Sequence, residues 1–368
     1  MAGTVTPRTS PHTRSALTAL AAASLLSACA TVPLPPASQD APATTQAPLP
    51  EAQVVTPRMQ AARDTLRSVV TQQDRLYRVA APLLINNVEL CRTQARGLLG
   101  FTAKNKWSYP GEYADASAAV LGYGDMLQVS GVLAGSGAAR AGLRKGDGLI
   151  AADGKALPTG AGAETGAASV FGPLVSSRTQ LSMTISRDGS TQVLKVPVTR
   201  ACAMRIDLGN SDNVNSYADG ARISVTRGMI NFAQNDETIA YVLAKDIAHN
   251  VLGHAAASRN TAAIGAVIDN VTRVQPDQTM LTGTAGIRPL SADMEIAADN
   301  LALYMLVRAG YGIDRYKAFW QKLAAQYPAS VQNGYVALHP NVGPRLMALD
   351  RAIPAVKAKQ AAKKPLVP

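Results

Sequence analysis

The sequence predicts an α+β protein in which a small β-rich domain precedes a mainly helical one. Three observations carry that expectation. Between about residues 116 and 198 the apolar residues come in short runs broken by glycine, ending in two strand-like runs, 180–186 and 192–198, around the turn Asp188-Gly189. Beyond residue 203, apolar residues recur at helical spacing over 236–258, 294–309 and 316–326. A strand-like stretch, 222–226, leads into those helices and supplies a short sheet.

The elements before and after follow from composition. Residues 1–28 carry Arg8 and Arg14, no acid, and an apolar run over 16–26, the pattern of a secretory signal too short to span a bilayer as a mature helix. Residues 29–57 are rich in Pro, Ala, Thr and Gln without apolar period, as in an extended tether. Residues 58–115 open with apolar positions at helical spacing, including Leu66, Val69, Val70, Leu76, Val79 and Leu83, and are expected as a helical segment of one helix or two. The β-rich domain is placed at 116–200, the helical domain at 203–355, and a solvated basic tail at 356–368.

A chain of 368 residues can bury two separate cores. Its formal charge is +11. Two of those charges lie in the signal (Arg8, Arg14) and four in the acid-free tail (Lys357, Lys359, Lys363, Lys364), so +5 remains for everything between. With four of the charges in the tail and two in the signal, a solvated tail touching anionic lipid or cell-wall polymer is favoured over a nucleic-acid groove. Beyond Cys29 the only cysteines are Cys91 and Cys202. In an oxidising compartment they are expected to pair; two buried free thiols are the alternative.

Leu26-Ser27-Ala28-Cys29 resembles the lipobox of bacterial lipoproteins, which implies acylation at Cys29 and a lipid anchor. An ordinary signal peptide cut nearby is the alternative. Ala30, where an Asp would resemble an inner-membrane retention signal, points to the periplasmic face of the outer membrane.

Residues 136–147, S-G-A-A-R-A-G-L-R-K-G-D, with Gly154 after them, resemble the S-P-A-x-x-A-G-L-x-x-G-D stretch of PDZ domains in bacterial envelope proteases. The resemblance implies a groove in which a peptide adds a strand to an open sheet edge while a glycine-containing loop takes its carboxylate. Leu121, Gly122, Tyr123 and Gly124 stand where that loop is expected. The Gly- and Ala-rich stretch 158–172 departs from the pattern in a way that would loosen or block the groove.

Residues 244–254 read A-K-D-I-A-H-N-V-L-G-H, and resemble the A-H-E-L-A-H-x-x-L-G-H helix of the gluzincin metallopeptidases that include CAAX prenyl proteases and HtpX. Four further segments fit the same family in order. They are residues 215–228, expected as its edge strand and peptide-binding at Ile223; E-I-A-A-D at 295–299; Ala309-Gly310-Tyr311 with Phe319-Trp320; and His339-Pro340 with Arg345.

The family's chemistry needs two histidines four residues apart on one helical face, a glutamate from a second helix, and a motif glutamate as base toward a zinc-bound water. The resemblance places His249 and Glu295 at the second and third ligand positions and His339 near a developing oxyanion. Lys245, however, stands at the first ligand position and Asp246 at the base position. An ammonium has no lone pair to offer a metal, and aspartate is one methylene too short to reach the water well. Lys245 either takes roughly the zinc position and pairs with Glu295, or snorkels to solvent. His254, five residues beyond His249, is expected off the ligand face.

Three readings follow: a pseudopeptidase binding peptides or unfolded envelope proteins, an active zinc endopeptidase with an altered ligand set, and a structural lipoprotein using neither groove. Zinc is the cofactor where the site functions, and none is needed where it does not.

Overall fold

Thr56 opens the first helix, α1 (Pro57–Ile85), its hydroxyl accepting from the Met59 amide at 3.2 Å. The protein is described here by a computed structural model covering residues 55–281, 287, 289–327 and 342–368. The signal, Cys29, nearly all of the tether, and His339-Pro340 lie outside the described residues. α1 is a single helix that runs through Pro82 and buries Leu66, Leu76, Val79, Leu83 and Leu84.

The helical segment expected over 58–115 ends at Ile85. Two strands, β1 (Ala95–Leu98) and β2 (Phe101–Lys104), come next, and α2 (Glu112–Leu121) only after them. Each strand has four residues, with Gly97 and Gly100 inside or beside it, so no alternation is long enough to read. Gly100, between them, has φ +89°, and a Cβ there would stand 2.1 Å from Ser136 Cβ. Only glycine fits that turn.

The β-rich part continues through β3 (Gln128–Val132), the short α3 (Gly137–Arg140), β4 (Gly148–Ala152), β5 (Lys155–Ala156), α4 (Ala163–Ser177), β6 (Gln180–Arg187) and β7 (Ser190–Pro197). One antiparallel sheet takes the order β2-β3-β4-β6-β7, with β5 beside β4. Its start at β2 lies upstream of the expected boundary at residue 116. The hairpin around Asp188-Gly189 is as expected, Arg187 standing opposite Ser190. Leu127, Val129, Leu149, Leu181, Met183 and Ile185 fill its core under α4.

β8 (Thr199–Cys202) turns back to pair with β1. Cys91 and Cys202 are joined in a disulfide, Cα to Cα 5.5 Å, fastening the chain after α1 to the end of β8.

A second sheet consists of β9 (Arg205–Gly209), β10 (Ser216–Ala218) and β11 (Arg222–Thr226), ordered β10-β11-β9. β11 runs antiparallel to β10 and parallel to β9. This corrects the expectation of an edge strand at Ile223. Ile223 is fully buried in the central strand, its backbone paired on both sides, and the edges of the sheet are β10 and β9. The unbroken burial of Ile223, Ser224, Val225 and Thr226 is that of a strand covered on both faces.

The helices follow as α5 (Arg227–Ala233), α6 (Asp236–Val251), α7 (His254–Ala257), α8 (Thr261–Val271), α9 (Ala292–Arg308), α10 (Tyr316–Gln326) and α11 (Val342–Ala361). α6 is buried on every face from Ile239 to Asn250, and packs against α1, α9 and the second sheet. The basic tail starts inside α11, which runs to Ala361, and most of its residues are exposed, as expected of a solvated segment. Val356 is fully buried, Lys357 pairs with Asp314, and Arg308 Nη1 reaches the Leu366 carbonyl at 3.5 Å. Leu349, Ile353 and Val356 recur at helical spacing and carry the helix into that region, leaving the lysines on its outer side. Among the described residues no helix is long and apolar enough to cross a membrane. The fold class is α+β, a β-rich region followed by a mostly helical one.

Candidate functional site

Two buried helices bring the motif residues together. α6 starts where the Asn235 side chain accepts from the Thr238 amide at 3.0 Å, with Asp236 and Glu237 favourably placed in its first turn. α9 starts the same way, Ser291 accepting from the Met294 amide at 3.3 Å. Four-residue spacing then aligns Lys245 with His249 on one face of α6, and Glu295 with Asp299 on the facing side of α9.

Lys245 is wholly buried, so it does not reach solvent. Its Nζ lies 2.7 Å from Glu295 Oε2 and 2.7 Å from Asp299 Oδ1. Arg345, from α11, completes the cluster: Nε meets Asp299 Oδ2 at 2.7 Å and lies 3.7 Å from Glu295 Oε2. Tyr316 donates its hydroxyl to Asp299 Oδ1 at 2.8 Å. The Trp320 ring stands 5.1 Å from Lys245 Nζ and 5.0 Å from the Arg345 guanidinium carbon, so both cations also face its electron-rich surface. Two cations thus sit among two carboxylates with several charge-assisted hydrogen bonds, the condition under which ions can stay charged in a protein interior.

Burial alone would push the Asp299 carboxyl up, but the Lys245 and Arg345 charges outweigh it and hold the group below the usual carboxylate range. The Arg345 guanidinium is also held above its ordinary value: burial pulls it down, and Asp299 more than compensates. The Tyr316 hydroxyl is driven well above its ordinary value, first by burial and then by the Asp299 charge. It therefore remains a proton donor.

His249 Nε2 lies 3.6 Å from Glu295 Oε1. Its other nitrogen meets His254, with Nδ1 to Nδ1 at 2.8 Å. One of the two rings must hold its proton there. His254, expected off the ligand face, thus meets the His249 nitrogen that does not face Glu295. α6 ends at Val251, Gly253 takes a left-handed conformation with φ +69°, and α7 starts afresh at His254. Once the helix breaks, the spacing of 3.6 no longer governs where residue 254 points. Burial lowers the His254 pKa, with Glu295 acting against it and Lys245 reinforcing it.

Asp246 is buried on α6 beside this cluster. His339, proposed from sequence near an oxyanion, lies outside the described residues. Asp299, Arg345, Tyr316 and Trp320 all belong to segments quoted from the sequence, yet their convergence on Lys245 carried no local signal.

The donor set does not fit zinc. Only His249 and Glu295 remain from the expected ligands, where a zinc centre takes at least three. The Glu295 carboxylate is already engaged by the Lys245 ammonium, and a dication placed there would stand against that charge. Among the described residues no group of three or more His, Cys, Asp or Glu is placed to hold a metal.

The loop residues expected to take a peptide carboxylate also fall elsewhere. Leu121 ends α2, Gly122 caps it, Tyr123 is buried, and the Gly124 carbonyl accepts from the Lys106 amide at 3.0 Å. A glycine turn at Leu99-Gly100 leads into β2 at one end of the sheet. The Gly- and Ala-rich stretch forms most of α4, and its Phe171 ring meets Phe101 of β2 edge to face at 5.7 Å between centroids. That contact lies across the space between β2 and α4.

Residues 176–353 match the profile of a family described as Peptidase family M48. No curated protein matches the chain. Among 21 matching chains of solved structures is one titled HtrA-type protease AlgW with decapeptide, at 25% identity and a TM-score of 0.22. The match covers 29% of this chain and 30% of that one, so the chain spans about a third of the protease's length.

Proposed function

We propose, from the match of residues 176–353 to Peptidase family M48, that the protein is a pseudopeptidase of the bacterial envelope that binds peptides or unfolded client proteins. The observation that carries this is the Lys245 ammonium, 2.7 Å from the carboxylates of both Glu295 and Asp299, where the family's chemistry needs a metal ligand. A site satisfied by an internal cation has neither the ligands nor the base to activate water. What the fold retains is strand edges. β10 bounds the sheet over α6, and β2 bounds the larger sheet next to a glycine turn, the arrangement by which PDZ domains capture peptide ends.

The test is the zinc content of the purified protein together with casein hydrolysis with and without chelator. Far less than one zinc per chain and no chelator-sensitive cleavage is the expected result. Stoichiometric zinc with chelator-sensitive cleavage would replace this reading with that of an active endopeptidase.

Anchoring through an acylated Cys29 at the periplasmic face of the outer membrane is part of the same proposal, supported by the Leu26-Ser27-Ala28-Cys29 match. A Cys29→Ser protein should leave the membrane fraction for the soluble one. Its retention on membranes after high-salt washing would refute the anchor.

A further inference from the structure

Away from the ion cluster, α1, the segment from β2 to α2, β9 and the chain following α8 border an open cavity of about 560 Å³. That lies within the roughly 300–1,000 Å³ typical of small-molecule sites. Tyr77, Tyr109 and Tyr123 form much of its wall, the last two stacked with ring centroids 6.2 Å apart and planes 24° from parallel. Burial pushes the Tyr77 and Tyr123 hydroxyls each to about 12, so this wall is neutral at ordinary pH.

The hydrogen-bonding side chains around it are mostly committed to the protein. Gln73 donates to the Ile206 carbonyl at 3.1 Å and accepts from the Leu208 amide at 2.7 Å. Asn210 donates to the Val274 carbonyl and accepts from Arg227. Ser108 donates to Glu164, and Ser130 is bonded to Thr102 at 2.9 Å. A sugar or another ligand dense in hydroxyls would find few partners here.

The charges are not balanced in the same way. The two acids of the lining are paired, Asp74 with Lys145 at 2.5 Å and Glu112 with Arg58. Lys104 and Arg273 also line the cavity, and among the described residues neither has a carboxylate within ion-pair distance. Asp207, which Lys104 influences from further off, is paired with Arg205 at 2.6 Å. Lys104 Nζ sits 5.4 Å from the centre of the Tyr109 ring. The cavity thus offers aromatic faces and two cations outside ion-pair distance of a carboxylate among the described residues, with Asp207 and Asp277 acting on them from further off.

We infer that this cavity binds an anionic amphiphile, a single carboxylate or phosphate head on an apolar body, with Lys104 and Arg273 taking the head and the tyrosine wall the body. The inference does not depend on whether the family site is catalytic.

Calorimetric titration of the purified protein with decanoate, decyl phosphate and neutral decanol tests it. One decanoate or decyl phosphate should bind per chain, at least about tenfold tighter than decanol, as expected when a charged head gains charge-assisted hydrogen bonds. The comparison of the two anions shows which head is preferred, and tighter binding of either supports the site. Lys104→Gln with Arg273→Gln should weaken the anions by about tenfold or more while leaving decanol unchanged. Tyr109→Ala, at the wall, should weaken all three. Absence of anion binding, decanol binding as tightly as the anions, or an unchanged anion affinity in a Lys104→Gln, Arg273→Gln protein with unaltered thermal unfolding would overturn the inference.

Discussion

Lys245→Met is expected to destabilise the folded protein by about 3–5 kcal/mol, the cost of stripping one partner from a buried ion cluster. At roughly 2–4 °C per kcal/mol for a domain of this size, the unfolding temperature should fall by about 10 °C. Methionine nearly matches the lysine stem in volume, so the loss measures charge more than packing. Glu295 and Asp299 would lose one close cation and keep Arg345 within a buried site. Adding Glu295→Gln to Lys245→Met removes the carboxylate that lost its lysine and should recover much of the loss. If Lys245→Met alone unfolds at the parental temperature, the cluster does not hold the helices together.

The same cluster sets an acid limit. Asp299 is held below the usual carboxylate range, so its stabilising contribution is complete above its unfolded value of about 3.9 and fades as pH falls through the lower folded value. Removing Lys245 takes away the larger of the two opposing charges that hold it down. Acid unfolding of Lys245→Met should therefore begin at higher pH than in the parent.

Lys245→His with Asp246→Glu is expected to restore a metal centre. A third ligand returns beside His249 and Glu295, and the ammonium that opposes a dication is gone. Structural zinc sites with four ligands are worth about 10–16 kcal/mol, or roughly 3 kcal/mol per ligand, so zinc affinity should rise by about two to three orders of magnitude over the parent. Chelator-sensitive casein cleavage should appear in the double variant. Lys245→His alone should gain metal but less activity, because Asp246 remains short of the water it would deprotonate. Asp299 and Arg345 keep each other charged in both variants, so the helices that frame the site stay in register. Equal zinc affinity in parent and double variant would show that residue 245 does not control the site.

Residue identity along the chain determined a good deal by itself. The 3.6-residue apolar period marked α6, α9 and α10, and the Asp188-Gly189 turn marked the hairpin of β6 and β7, because each depends only on neighbours close in sequence. That Lys245 stands where the resembled motif carries its first histidine was legible for the same reason, since it lies four residues from His249 on one helix. Its partners were another matter. Whether an internal lysine escapes to solvent or pairs depends on how deeply α6 is covered and on which carboxylates α9 presents, and Asp299 and Arg345 lie 54 and 100 positions away in sequence from Lys245. His254 joined His249 only because Gly253 broke the helix. β1 and β2 are strands only because β8 and β3 pair with them, and Ile223 is central only because β9 lies on its other side. Local periodicity is written into short windows of sequence, whereas burial, strand neighbours and ion pairing are sums over groups brought together from distant parts of the chain, which only the folded arrangement decides.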